Sequence, residues 1–153
     1  MNHSLRVFKP GDQDSVKDLI LSILMKEYPF DKSAYSDSDL LHIGETYGGT
    51  RNTFFVAEEE NKVVGTVGVK EDTKNEALIR RLFVNSEYRG RGHGAELLEK
   101  AVAFCRQNGY KKIYFRCTDR MASAMKLCQK KGFREIEKLD AGGFNIHKLE
   151  LDL

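Results

Sequence analysis

Residues 88–94 read YRGRGHG, with Gly90, Gly92 and Gly94 alternating with Arg91 and His93 directly after the apolar run LFV at 82–84. Each glycine gives up packing and costs conformational entropy, so three at every second position need a reason. A strand running into a glycine-rich turn that opens a helix gathers backbone N–H groups and the positive end of the helix dipole at one concave spot, which suits phosphate. Glycine serves there because the ligand meets no Cβ and because tight turns need φ > 0. The stretch lacks the GK[ST] ending of a P-loop, and it reads GxGxG where a dinucleotide fingerprint demands GxGxxG. An RGG-like RNA arm would be repeated and disordered, unlike this single copy between a strand and an amphipathic helix. A glycine turn with no ligand stays open on spacing alone.

Other residues suggest a pocket. Arg80, Arg81 and Arg116 fall on expected central strands, where an unpaired cation is expensive, so they are candidates to face a cleft and hold a carboxylate. Internal salt bridges with Glu58 or Glu76 are the competing reading. The irregular stretch at 28–39 places Tyr28, Phe30 and Tyr35 in a loop, with Tyr47 just beyond, as candidate walls for a substrate. Cys105, Cys117 and Cys128 are odd in number and widely spaced, and the four histidines form no ligand pair. Buried reduced thiols and no metal are expected.

The elements that must position these groups follow from periodicity. A strand at 5–9 ends at Pro10 and Gly11, and Val16, Leu19, Ile20, Ile23 and Leu24 mark a helix capped by Asp12 or Asp14. A short second helix is expected after Ser36 or Ser38. Segments 53–59 and 63–69 form a hairpin turning near Asn61, and 77–84 is a third central strand. Ala95, Leu98, Val102 and Cys105 share a helical stripe that ends near Gly109. A strand at 111–117, a helix capped by Thr118 or Asp119 and ended by Gly132, and two last strands around AGG at 141–143 complete a mixed α/β layout.

The chain has 153 residues, 41% hydrophobic and 31% charged, enough to bury a core in one domain over 1–153. Its net charge of +2, with both signs interspersed, gives no argument for nucleic acid. The longest apolar stretch, 19–25, is too short to span a bilayer and the N-terminus lacks a signal-peptide core, so a cytoplasmic protein without membrane contact is expected.

RGRGHG at 89–94 resembles the [QR]xxGxG signature of the GNAT superfamily of N-acetyltransferases, within a similar strand, loop and helix block, RRLFVNSEYRGRGHGAELL. SAMKLCQKKGF at 123–133 is similar to the family's A..LY...GF segment through Ala124, Leu127, Gly132 and Phe133. The hairpin FFVAEEENKVVGTVGV stands where the family has one. The resemblance covers essentially the whole chain. It implies an α/β fold with a central, mostly antiparallel sheet splayed between its fourth and fifth strands and flanked by helices.

It further implies transfer of an acetyl group from acetyl-CoA to an amine acceptor, by a monomer or homodimer. Backbone N–H groups around Arg91, Gly92, His93, Gly94 and Ala95 would hold the pyrophosphate, with Arg89, Gly90 and Arg91 in the same turn. Leu82, Phe83 and Val84 would pair with the pantetheine arm through their backbone, and Lys126 would neighbour the phosphates or adenine. The acceptor amine would attack directly, its proton taken by Glu76 or Glu27. The family's usual tyrosine acid is replaced here by Cys128, a shorter thiol and the candidate acid. An acyl-CoA sensor that binds without turnover is the alternative.

Overall fold

Runs of β-branched and aromatic residues form seven strands of one sheet in the computed structural model, which describes residues 3–28 and 38–153. The strands are β1 (His3–Val7), β2 (Thr53–Glu59), β3 (Lys62–Thr73), β4 (Glu76–Val84), β5 (Lys112–Thr118), β6 (Arg134–Asp140) and β7 (Asn145–Asp152). The helices are α1 (Gln13–Glu27), α2 (Ile43–Thr46), α3 (His93–Gln107) and α4 (Ala122–Lys131). The spatial order is β1-β2-β3-β4-β5-β7-β6. Among the strand contacts of the described residues, β4–β5 alone is parallel, with α3 as its crossover.

The β2–β3 turn has Glu60 at φ 52° and Asn61 at φ 65°, the left-handed pair that a two-residue hairpin loop requires. Within β3, a Cβ on Gly65 would meet Leu97 of α3 at 2.9 Å, whereas one on Gly68 would meet Tyr47 at 2.8 Å. Positions three apart on a strand face opposite ways, so α3 covers one face and the segment around α2 covers the other. Gln13 ties α1 to that second layer, donating to the Leu40 carbonyl at 2.6 Å and accepting from Ile43 N–H at 3.1 Å. Val16, Ile20 and Ile23 of α1 and Leu97, Leu98, Ala101, Val102 and Cys105 of α3 fill the two halves of the core. All three cysteines are buried free thiols.

Two irregularities shape the functional end of the sheet. Thr66 pairs with Phe83 and Gly68 with Arg80, so Arg81 and Leu82 together oppose the single residue Val67. This bulge holds Arg81 at φ 56°. The second is a splay. Pairing of β4 with β5 runs from Glu76–Lys112 to Ile79–Phe115 and stops, while β3 follows β4 to Val84 and β7 follows β5 to Thr118. Each strand departs with its own partner, opening the sheet between the fourth and fifth strands as the resemblance implies.

The start of α4 differs from expectation. Met121, rather than Thr118 or Asp119, is its N-cap. Asp119 is drawn away by His147, whose Nε2 donates to Oδ1 at 2.5 Å, and by Asn145 N–H, which donates to Oδ2 at 2.7 Å. A second hydrogen-bonded group on a neighbouring strand has outcompeted local capping.

Candidate active site

A cavity of about 330 Å³ opens where β4 ends, bounded by the turn at 88–95, α4 and the end of α1. Leu82, Phe83, Val84, Arg89, Gly90, Gly92, His93, Gly94 and Ala95 all line it, so most of the residues assigned to acetyl-CoA lie around one space. Tyr28, Tyr88, Ser123, Ala124 and Leu127 complete the lining.

The turn is left-handed at two positions, Gly90 with φ 78° and Gly92 with φ 86°, where an L side chain would be strained. Gly92 caps α3, its carbonyl accepting from Glu96 N–H at 3.1 Å. Gly94 serves a different need. A Cβ there would lie 3.1 Å from Leu127 Cδ2 and 3.8 Å from Val84 Cγ2, so its bareness lets α3 approach α4.

Charged groups pin this turn to the sheet. Glu59, at the end of β2, accepts from His93 Nε2 at 2.7 Å and from Arg91 Nη1 at 2.5 Å. The His93 bond, followed by that of Arg91, holds the Glu59 carboxyl below its usual range, so it is ionised and His93 Nε2 carries the hydrogen. Arg91 also lies over the Tyr88 ring, 5.0 Å from its centroid. Arg89 bridges three elements, donating from Nε to the Val84 carbonyl at 3.0 Å and from both Nη atoms to Glu27 at 2.7 and 2.8 Å.

The backbone of β4 faces the gap in a defined way. Asn85 N–H donates to the Val64 carbonyl at 2.8 Å, and Phe83 stands opposite Thr66 two residues earlier. Because ladder bonds alternate along an antiparallel strand, the polar groups of Leu82 and Val84 point away from β3, toward the gap that β5 has vacated. Arg89 confirms the direction for Val84 by reaching its carbonyl from that side.

The remaining assigned residues fall elsewhere. Lys126 is exposed and outside the cavity lining, and Arg91 is engaged by Glu59 rather than turned inward. Glu76 sits at the far, closed end of β4, about 20 Å from Leu82 at the rise of an extended strand. There it accepts from Tyr114 Oη at 2.7 Å. Cys128 is fully buried, absent from the lining, and its thiol is pushed up to about 12 by burial. Its neighbour Leu127 lines the cavity, whereas the Cys128 thiol is held neutral on the core side of α4. Tyr28 does reach the cavity mouth, whereas Phe30 and Tyr35 lie outside the described residues.

Arg81 is buried against Asp39, with Nη2–Oδ1 at 2.5 Å and Nε–Oδ2 at 3.0 Å, not against Glu58 or Glu76. Burial alone would raise the Asp39 pKa, but the hydrogen bonds from Arg81 and from Tyr47 Oη, the latter at 2.7 Å, outweigh it and hold the carboxyl low. Arg80, on the same face because of the bulge, stays about one-third exposed with its Nη2 3.9 Å from Asp39. Glu58 instead pairs with Arg6 at 2.8 Å.

Glu59, Tyr88 and Ser123 escaped the sequence reading. Glu59 sits 34 residues from His93 in the chain, and nothing in a strand-ending carboxylate announces such a partner. Ser123 is placed by α4, whose start local capping signals misjudge.

Residues 17–133 match the sequence profile of the Acetyltransferase (GNAT) family. The chain belongs to that family. Among relatives, this GNAT chain is 32% identical over 106 residues to "Probable N-acetyltransferase camello" of Xenopus tropicalis, covering 67% of this chain and 48% of that protein. It is 36% identical over 104 residues to human "N-acetyltransferase 8", covering 64% and 46% respectively. It thus spans about half the length of the curated relatives it matches. In fold, it superposes on a GNAT-family acetyltransferase from Staphylococcus aureus Mu50 with a TM-score of 0.85 at 24% identity, covering 99% of both chains. The Salmonella typhimurium protein yncA, solved with acetyl-CoA, gives 0.83 at 15% identity, covering 99% of this chain and 94% of that one. Among the described residues of this GNAT chain, no helix is long and apolar enough to cross a membrane.

Proposed function

We propose that this protein transfers the acetyl group of acetyl-CoA to a primary amine of a small molecule or peptide. The observation that carries the reading is the cavity at the splay, where the β4 backbone at Leu82 and Val84, left by β5, meets a left-handed glycine turn at the start of α3. These residues fit the co-substrate. The turn's bare N–H groups suit a pyrophosphate, and the gap-facing groups of β4 suit an amide-bearing arm lying where a strand neighbour is missing.

Acetyl-CoA supplies an activated acyl group as a thioester. The acceptor nitrogen attacks its carbonyl carbon, the C–N bond forms, the C–S bond breaks, and the proton lost by nitrogen ends on sulfur. The chain's part is to hold the two reactants together and to offer a gap-facing N–H of β4 to the developing oxyanion. Glu59 keeps the turn in place through His93 and Arg91. With Glu76 remote and Cys128 sealed, proton movement falls to water at the open cavity and to groups at its mouth.

The test is thiol release from acetyl-CoA across amino acids, polyamines, aminoglycosides and peptides, with mass spectrometry of the product. Acetylated amine is expected for at least one class. Tight binding of acetyl-CoA with no turnover on any amine favours instead the sensor reading, which the sealed Cys128 at the usual tyrosine position supports.

A further inference from the structure

We propose that the acceptor carries a carboxylate, held on the open face of the sheet by Arg116 and Lys148 with Arg80 across the gap; this rests on the acetyltransferase reading and names its substrate class. The parallel ladder ends at Ile79–Phe115, and the next residue on each strand is an arginine, Arg80 and Arg116. Both side chains project to the same face, shared with Tyr114, because Leu78 pairs with Tyr114 and side chains alternate along each strand. Two guanidinium groups therefore flank the point where the sheet opens.

A third cation adjoins them. Lys148 pairs directly with Arg116 across β5 and β7. Like charges opposite one another repel, and the opposite charge in the same row is Glu137, which faces Lys148 across β6 and β7 and offsets one of the two cations. None of the ion pairs among the described residues involves Arg116 or Lys148. Lys148 instead lies 4.2 Å over the Tyr114 ring. Asp39, 3.9 Å from Arg80, is already bound by Arg81 and Tyr47.

A cavity of about 350 Å³ lies on Arg116 and Lys148, lined also by Cys117 and Thr118, with Ile146 and Leu139 as apolar surface and Glu137 as the carboxylate of the described lining; Arg80 stands outside that lining, across the gap. It is on the face opposite α4, since Cys117 and Leu149 turn the other way into the core. The acetyl-CoA cavity is bounded by α3 and α4, so the two cavities border the gap from opposite faces. An arginine fork at the edge of that gap recognises a planar carboxylate in two-point fashion and leaves an amine a few bonds away at the opening.

The experiment compares glycine, phenylalanine and aspartate with their carboxamides, and phenylalanine with phenethylamine. Binding to the CoA-saturated protein is read by calorimetry and turnover by thiol release. Carboxylates are expected to bind at least about tenfold more tightly than the matched neutral amines. Arg116→Ala and Lys148→Gln should collapse that ratio toward one, while Arg116→Lys retains part of it; thermal melts confirm that the variants fold. Equal affinity for acids and amides, or no binding of either, overturns the proposal. Turnover with no acid preference overturns it while leaving the acetyltransferase reading intact. Acid-selective binding without turnover on any amine supports the anion site and removes the acetyltransferase reading.

Discussion

Glu59 closes β2 and accepts a 2.7 Å hydrogen bond from His93, the first residue of α3, so this carboxylate ties the glycine turn to the sheet alongside the bonds of Arg89. His93 is almost fully buried at 2% exposure, and Arg91 uses the second carboxylate oxygen. Glu59→Ala removes both hydrogen bonds and should weaken CoA binding by about five- to tenfold and lower the melting temperature. Calorimetry with CoA checks this. Unchanged affinity would mean that the turn holds its shape without the anchor.

Gly94 and Leu127 form a pair that a double-mutant cycle can isolate. Gly94→Ala places a methyl group 3.1 Å from Leu127 Cδ2, so acetyl-CoA affinity should fall, and adding Leu127→Ala should restore part of the loss. Gly92→Ala has no such remedy. Its φ of 86° imposes about 1–2 kcal/mol of backbone strain wherever space exists, so Leu127→Ala should not rescue it.

The Arg81–Asp39 pair crosses from β4 to the segment before α2 and is buried on both sides. Asp39→Asn or Arg81→Met should destabilise the fold by about 3–5 kcal/mol, since each strands a charged or polar partner. Asp39 is held below its ordinary value of 3.8, so its contribution is present above that pH and is lost as pH falls through the folded value. Acid denaturation curves of the wild type should therefore carry a limb that Asp39→Asn lacks.

His147 behaves in the opposite sense. Its Nε2 bonds Asp119 at 2.5 Å and its Nδ1 bonds Glu135, and the Asp119 bond leads in raising its pKa above 6.5. A group raised in the folded state stabilises fully below its unfolded value, and that contribution fades as pH climbs through the folded one. Stability should decline above about pH 6.5, and His147→Gln should flatten the decline in denaturant melts taken from pH 6 to 9. A slope identical in wild type and variant would assign it to other groups.

The amino-acid sequence alone determined what depends on neighbours along the chain. Apolar periodicity set α1, α3 and the strands, and glycine spacing marked the turn at 90–94, because backbone conformation and amphipathic faces are local properties. Tertiary structure alone decided which charge meets which. Arg81 finds Asp39 across 42 residues, His93 finds Glu59 across 34, and Asp119 leaves its helix for His147 across 28. It also separated Glu76 from the cavity and sealed Cys128 in the core. Polar groups choose partners by distance and desolvation once the sheet has formed, and neither quantity is written in the spacing of the residues.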